Sequence, residues 1–456
     1  MNKRLAYKIC RNYFIIIIFI LSNVSIFSQS SSDSSTIILT LDKAVNMALE
    51  KNYDVQIANF NEMNAEAQIT EAYGGAWPRL SFSGIYTRNI KLPVLFLPPN
   101  TPFNPSSSTE TFSLGANNSY NLGISLSQTI FDPRLGTAIS IAKQYSQYSK
   151  LNNQSTADEV SAQVKQAFYG ALLSKKLIEV NEEGYKTAKA NKENTEALYK
   201  QGVASEYDYL RSEVQLANVE PALIEAKNNF EMTKNNLKNL LAINLNTKVE
   251  IQGELNVEKI SAEQFENSNE MLMQKNPLLQ SLNIQKSMLE ENISIEKAAY
   301  LPTLKAFGSY AWQAEDNTFK FKNYNWANTF SVGLQLTYTL FDGFQRSAKV
   351  EQAEIGVKSL QAAKSKTEES LKTGLLQAKL KMNEALERID AQKKSVEQAE
   401  KALKIAETRY KNGVGTQLEI LDTQNSLSQT RINYEKAIYD FLIAKTNWEK
   451  LLGSKK

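Results

Sequence analysis

The fold of this chain is decided by the stretch Thr329-Phe330-Ser331-Val332-Gly333-Leu334-Gln335-Leu336-Thr337-Tyr338-Thr339-Leu340. Apolar side chains alternate in it with small or polar ones, and no charged residue interrupts them. Because successive side chains of a strand point to opposite faces, this period of two predicts a β-strand with one apolar and one polar face. Residues 121–131 show a similar alternation around Leu122, Ile124 and Leu126.

A further strand is predicted ahead of each of these two, starting after Pro78 and after Pro302. The four predicted strands lie at about 79–90, 118–131, 303–312 and 328–341. Their length and their alternation of apolar and polar side chains fit a membrane barrel. A soluble antiparallel sheet with one solvent-exposed face would show the same alternation. Aromatic residues at the strand ends are predicted to form a girdle at the membrane surfaces. They are Tyr86, Tyr120, Tyr310, Trp312 and Phe341.

Four strands are too few to close a barrel, since the smallest bacterial barrels have about eight. Open strand edges are excluded from lipid because their backbone groups would lack hydrogen-bond partners. If these strands lie in lipid, several chains must share one barrel, so that two chains would supply eight strands and three would supply twelve. The loops within the strand pairs, 91–117 and 313–327, would then be extracellular.

The chain contains one structural unit twice. Asn52 and Asn276 are 224 positions apart, as are Pro78 and Pro302, and later in each unit the offset falls to 210 or 211. Matches that stay in order and include turn-forming residues indicate a repeat. We divide the chain into a first repeat (29–242), an inter-repeat segment (243–262) and a second repeat (263–453), each repeat running helix, two strands, long helix, helix.

Each repeat contains a proline-free segment rich in Ala, Lys, Glu, Gln and Leu, at 136–199 and at 345–410. Each predicts one helix of about 65 residues, or about 100 Å. A spacing of seven between large residues in the second segment indicates coiled-coil packing. These residues are Leu375, Met382, Ile389, Val396, Leu403 and Tyr410. The two shorter helices of each repeat together match the long one in length, so they could stack end to end along it.

The N-terminus has the pattern of an export signal, predicted at 1–28. Four basic residues precede a short apolar core that ends at Leu21, and small polar residues follow. A retained N-terminal anchor is the alternative. The single cysteine, Cys10, would leave with the signal, and the formal net charge would change from +3 to −1. Neither charge suggests a nucleic-acid partner.

The composition argues against an enzyme. The chain has no histidine, which removes the commonest general base and metal ligand. It also lacks a glycine-rich phosphate-binding loop. We predict no catalytic residue, no metal and no cofactor.

Two motifs, taken with the repeat, resemble the TolC-like outer-membrane efflux channels (outer membrane factors) over about residues 37–453. The first is the opening helix, Leu39-Thr40-Leu41-Asp42-Lys43-Ala44-Val45, followed by Ala48-Leu49 and Lys51-Asn52. The second begins at Tyr410 and continues through Gly413-Val414-Gly415-Thr416, Glu419, Leu421-Asp422 and Gln424.

The resemblance implies a homotrimer in the outer membrane, with long coiled-coil helices forming an α-barrel tunnel in the periplasm. Each chain would give four strands to a shared 12-stranded β-barrel. The inter-repeat segment and the residues before Leu39 would form an equatorial region. The tunnel would be a passive conduit for efflux or type I secretion, working with a periplasmic adaptor and an inner-membrane pump. A structural or adhesive coiled-coil protein without a channel is the alternative.

The resemblance also places functional residues at the two helix-to-helix turns. The tips that would meet the adaptor are Gly202, Val203, Gly413, Val414, Gly415 and Thr416. Glu419 and Asp422 would form two carboxylate rings in the pore, although a helix-start acid pair stabilised by the helix dipole is the simpler interpretation. Tyr410 and Asp208 match residues of the family's closed latch. Its arginine is replaced here by Gly415, so the latch cannot be carried over whole.

Overall fold

Each half of the chain contains one very long helix, several short helices and two long strands. The structure, a computed structural model, describes residues 36–258, 260–320, 322 and 324–453. The predicted signal at 1–28 therefore lies outside the described residues. The first half comprises β1 (Ile37–Leu39), α1 (Leu41–Lys51), α2 (Tyr53–Gly74), β2 (Arg79–Arg88), β3 (Val94–Leu97), β4 (Glu110–Ser113), β5 (Asn118–Phe131), α3 (Pro133–Lys200) and α4 (Glu206–Leu240). The second comprises β6 (Val249–Ile251), α5 (Ala262–Glu266), α6 (Ser268–Lys275), α7 (Pro277–Ala298), β7 (Thr303–Asp316), β8 (Ala327–Thr337), α8 (Gln345–Lys411) and α9 (Gln417–Leu452).

Each long helix is the next element of the chain after a strand of the sheet, α3 after β5 and α8 after β8. α3 has 68 residues and α8 has 67, so each is about 100 Å long at 1.5 Å per residue. Asp132 caps α3 by accepting a hydrogen bond from the Arg134 amide at 3.0 Å, and Pro133 occupies the first helical position. Proline fits there because that N–H has no partner within the helix.

The buried side of α8 follows the predicted heptad. Large and small residues alternate along it, and its buried members are Leu375, Ala378, Met382, Ala385, Ile389 and Ala406. The partner is α9, whose buried face includes Ile420, Leu427, Phe441 and Trp448. Small residues between large ones let the two helices approach closely.

The short helices lie along the long ones in pairs. α2 and α4 both pack against α3, and α7 and α9 both pack against α8 and also against α3. The stacking proposed from helix lengths therefore matches the contacts of the chain. Among the described residues, no helix combines the length and the apolarity needed to cross a membrane.

A small sheet joins the start of the chain to the inter-repeat segment. β1 pairs in parallel with β6, Leu39 opposite Ile251, and both side chains are buried. They join an apolar cluster with Phe168 of α3 and Phe441 of α9. This cluster fixes the inter-repeat segment against the middle of the helices.

The four long strands form one antiparallel sheet in the order β2-β5-β7-β8. On its polar face the hydroxyls of paired serines lie 2.7 Å apart, Ser81 with Ser125 and Ser309 with Ser331. The other face is apolar and exposed in a single chain. It carries Leu80, Phe82, Leu126, Phe330, Val332, Leu334 and Leu336. β2 and β8 are the edges of the sheet, so each has one unpaired side.

Some predicted strand limits were wrong. β7 continues to Asp316 rather than 312, and β8 ends at Thr337 rather than 341. β8 stops because Thr337 pairs with Thr303, the first residue of β7, and the preceding Pro302 has no N–H to extend the ladder. Phe341 consequently lies beyond the strand that was expected to hold it.

Candidate functional site

The candidate site is formed by the two turns at which the long helices end. At the first turn Gly202 has a φ of 72°, and the Val203 amide donates to the Leu198 carbonyl oxygen at 2.9 Å. This bond satisfies one of the carbonyl groups left open at the end of α3. A left-handed backbone favours glycine because it has no Cβ to clash with the next carbonyl.

The second turn repeats this geometry. Gly413 also has a φ of 72°, and the Val414 amide donates to the Arg409 carbonyl oxygen at 3.0 Å. A Cβ built at Gly415 would lie 2.8 Å from the Tyr410 backbone nitrogen. No side chain fits at Gly415 unless the turn shifts.

The helices that follow the turns start with matched caps. The Thr416 hydroxyl accepts from the Glu419 amide at 3.2 Å, and the Ser205 hydroxyl accepts from the Asp208 amide at 3.1 Å. Asp208 in turn accepts a hydrogen bond from the Ser205 hydroxyl at 2.6 Å. Glu419 and Asp208 thus occupy equivalent positions in the first helical turn, where the helix dipole favours acids.

Arg409 is the tip residue that sequence reasoning missed. Its Nε lies 3.5 Å from Glu419 Oε2, and its Nη2 donates to the Val414 carbonyl oxygen at 3.2 Å. The guanidinium therefore ties the end of α8 to the start of α9 within one chain. A basic residue ending one helix, with an acid starting the next, is the signal that could have identified this pair.

Tyr410 connects the second tip to the first repeat. Its ring is half-buried, and burial raises the pKa of its hydroxyl. A hydrogen bond with Thr195 of α3 acts in the opposite direction, and the charge of Asp208 raises the pKa further. The structure therefore places Tyr410 close enough to Asp208 for the charge of Asp208 to act on its hydroxyl.

The remaining predicted gate residue, Asp422, is exposed one turn after Glu419 on α9. Residues three apart in a helix lie on one face, so both carboxylates point to the same side. Arg211 takes the place of Asp422 in the first repeat, and its Nη1 donates to the Tyr207 hydroxyl at 3.1 Å. Within the described part of one chain, no group of three or more acidic, histidine or cysteine residues could hold a metal ion.

Gln417 is a buried polar residue at the second tip. It is only 2% exposed, and neither atom of its amide has a hydrogen-bond partner among the described residues. Its counterpart in the first tip is Glu206, which is exposed. The second tip thus contains an unsatisfied buried group that the first tip lacks.

The predicted girdle aromatics occupy different levels of the sheet. The Tyr86 and Tyr120 rings stack at 4.9 Å near the end farthest from the helices. Tyr310 and Trp312 lie nearer the helices and meet edge to face, with 4.4 Å between their ring centroids. Phe341 lies at the opposite end, where it contacts Phe344 with 5.7 Å between ring centroids. These five residues therefore do not lie at one level.

Residues 44–242 and 270–454 match the sequence model of the family described as "Outer membrane efflux protein". The chain belongs to this family. It is therefore an outer-membrane protein, a channel of the kind used in tripartite efflux or secretion systems.

The relatives of this chain have low sequence identity to it, but the similarity covers most of its length. It is 20% identical to outer membrane protein TolC of Vibrio cholerae over 73% of this chain and 76% of that one. It is 22% identical to alkaline protease secretion protein AprF of Pseudomonas aeruginosa over 73% of this chain and 69% of that one. The crystal structure of the Campylobacter jejuni CmeC outer membrane channel superposes with a TM-score of 0.74, at 18% identity, over 94% of this chain and 90% of that one.

Proposed function

We propose that three copies of this chain form a passive conduit from the periplasm to the exterior. The observation that carries this is the four-stranded sheet, which has an exposed apolar face and is open at both edges, β2 and β8. In lipid the free backbone groups of those edges need partners. Pairing β8 of one copy with β2 of the next supplies them without adding another chain type.

Three is the number of copies that this argument favours. Two copies give eight strands, about the minimum for a bacterial barrel, whose interior is filled by side chains. Three copies give a 12-stranded β-barrel with room for a conduit. Below it, the two long helices and the two end-to-end pairs of each copy form the wall of an α-barrel tunnel, which in three copies has twelve helical positions.

The tips are the proposed gate and docking site. Glu419 and Asp422 share a helix face, so three copies place two rings of three carboxylates around the axis. Such rings favour cations and can be bridged by multivalent ones. Val203 and Val414 are exposed at the two turns, and they fit a contact with a periplasmic adaptor. Because the proposed conduit is passive, an inner-membrane pump supplies the energy for transport.

The assembly is tested in detergent extracts of outer membranes. We expect a trimer that migrates more slowly on a gel before heating than the monomers that heating releases, and discrete conductance steps when it is added to planar bilayers. A chain that extracts as a non-conducting coiled-coil oligomer would support the structural or adhesive function instead.

The gate is tested by replacing both Glu419 and Asp422 with alanine. We expect larger conductance or weaker block by multivalent cations on the periplasmic side. Glu258→Ala is the matched control, because Glu258 pairs with Lys445 in the inter-repeat region at 3.0 Å, away from the tips. Unchanged conductance and unchanged block in the double variant would exclude the pore role of these acids.

A further inference from the structure

The loop between β2 and β5 contains a β-hairpin whose apolar side chains are uncovered. β3 pairs antiparallel with β4, Leu95 opposite Phe112 and Val94 opposite Ser113. We call residues 93–114 the apolar hairpin. Phe103, at its turn, is 84% exposed, and Phe96 is 65% exposed. The other exposed apolar residues of the hairpin are Val94, Leu95, Phe112 and Leu114.

The conformation of this hairpin is well defined by its own hydrogen bonds. Asn104 is fully buried in the turn, and its side-chain nitrogen donates to the carbonyl oxygens of Leu97 and Ser108 at 3.0 and 2.8 Å. At the base, the Leu114 amide donates to the Pro93 carbonyl oxygen at 2.9 Å. The exposed aromatic side chains are therefore held in place by an ordered turn and base.

Both faces of the hairpin carry exposed apolar side chains. Neighbouring side chains of a strand point to opposite faces, so Leu95 and Phe112 lie on one face and Val94 and Phe96 on the other. An isolated two-stranded hairpin is only marginally stable in water, and an exposed apolar patch marks an interaction site. The second repeat has only a short loop here, between Asp316 and Ala327, so among the described residues the hairpin occurs in the first repeat alone.

We infer that the apolar hairpins of three copies pack against one another across the outer mouth of the barrel and constrict the exit. This inference rests on the proposed trimer. In a three-membered ring each copy contacts two neighbours through two different surfaces. A hairpin that is apolar on both faces fits that arrangement, whereas a single partner or a bilayer surface would cover one face.

The length of the hairpin and its lack of basic residues both favour packing against the other copies of the chain. Twelve strands about 4.8 Å apart and tilted by about 40° enclose a barrel of about 12 Å radius. One arm of the hairpin has about ten residues and spans up to about 30 Å when extended, so it can reach the axis. Segments that lie on anionic membranes are rich in Lys and Arg. Residues 92–118 contain neither, and their one charged residue is Glu110.

The first experiment is disulfide cross-linking in whole cells. Phe103→Cys is made in a Cys10→Ser background, and Lys320→Cys is the control at the same end of the sheet but outside the hairpin. Mild oxidation is expected to link two of the three subunits in each F103C trimer and to leave the K320C trimer unlinked. Equal linking of both variants would indicate random collision and would overturn the inference.

The second experiment removes the hairpin by joining Pro93 to Leu114 through two glycines. We expect the trimer to persist, with higher single-channel conductance than the full chain. A trimer that neither cross-links at position 103 nor changes its conductance refutes the hairpin contact alone. Absence of any trimer in the full chain refutes the proposed function, and the inference with it. Quenching of a fluorophore at position 103 by brominated lipid would assign the hairpin to the bilayer and overturn the inference.

Discussion

The side-chain amide of Asn52 donates a hydrogen bond to the backbone carbonyl oxygen of Leu240 at 2.9 Å, across 188 residues of sequence. Its side-chain oxygen accepts from the Asp54 amide at 2.8 Å and so caps α2. One buried asparagine thus satisfies the open end of α4 and the open start of α2 together. In the second repeat Asn276 does the same, donating to the Leu451 carbonyl oxygen at 2.9 Å.

Asn52→Leu is expected to weaken this joint. The variant loses the cap and leaves the Leu240 carbonyl without its partner, which together cost about 2–4 kcal/mol. The measurement is the midpoint of guanidinium denaturation followed by circular dichroism in detergent. Asn52→Ser is the control, because it keeps a capping oxygen but is too short to reach Leu240, so its loss should be intermediate. Equal midpoints for the two variants and the unaltered chain would show that the joint contributes nothing.

Arg409→Gln is expected to change the behaviour of the channel more than its stability. The Arg409–Glu419 pair is about half exposed, and such pairs contribute at most about 1 kcal/mol. Removing the guanidinium leaves the proposed Glu419 ring with its full charge, so half-block by a multivalent cation should occur at a lower concentration. Arg388→Gln is the control, since Arg388, in α8 and far from the tips, pairs with Asp440 of α9. The same shift in both variants would contradict a local effect.

Gln417→Leu is expected to stabilise the second tip. The buried amide has no partner in the described part of the chain, and a buried unsatisfied group costs about 1–3 kcal/mol. Gln417→Glu should lower stability, because it places a charge in the same site. Glu206→Leu tests the exposed equivalent in the first tip and should give no gain. A loss in Gln417→Leu as large as that in Gln417→Glu would mean that the amide has a partner in the assembled protein.

The sequence predicted the periodic parts of the fold well. A period of seven placed Leu375, Met382 and Ile389 on the buried side of α8, because helix geometry converts spacing directly into a face. The recurrence of Asn52 at Asn276 indicated the repeat, although spacing alone could not reveal that each residue joins two helices by hydrogen bonds. Family membership, outer-membrane location and channel function are confirmed, while the roles of the tip residues stay predictions.

What the sequence did not reveal depends on contacts between distant residues. The apolar hairpin lies in a stretch rich in proline and serine, which reads as an irregular loop because its strands have only four residues each. The end of β8 depends on where its partner begins, so Phe341 was misplaced. The Arg409–Glu419 pair requires the turn geometry that glycines at 413 and 415 allow.

Gly333→Ala is expected to disturb the sheet, whereas Gly308→Ala is not. A Cβ at Gly333 would lie 2.8 Å from the Phe307 ring, while a Cβ at Gly308 would meet its nearest neighbour at 3.6 Å, an ordinary contact. The ring must tilt to admit the methyl group, and such overpacking costs about 1–3 kcal/mol. The measurement is the temperature at which the trimer dissociates on a gel. Combining Gly333→Ala with Phe307→Ala should recover most of the loss, because the clash disappears with the ring. A double variant as unstable as the sum of the two single ones would show that Phe307 does not depend on Gly333 for its position.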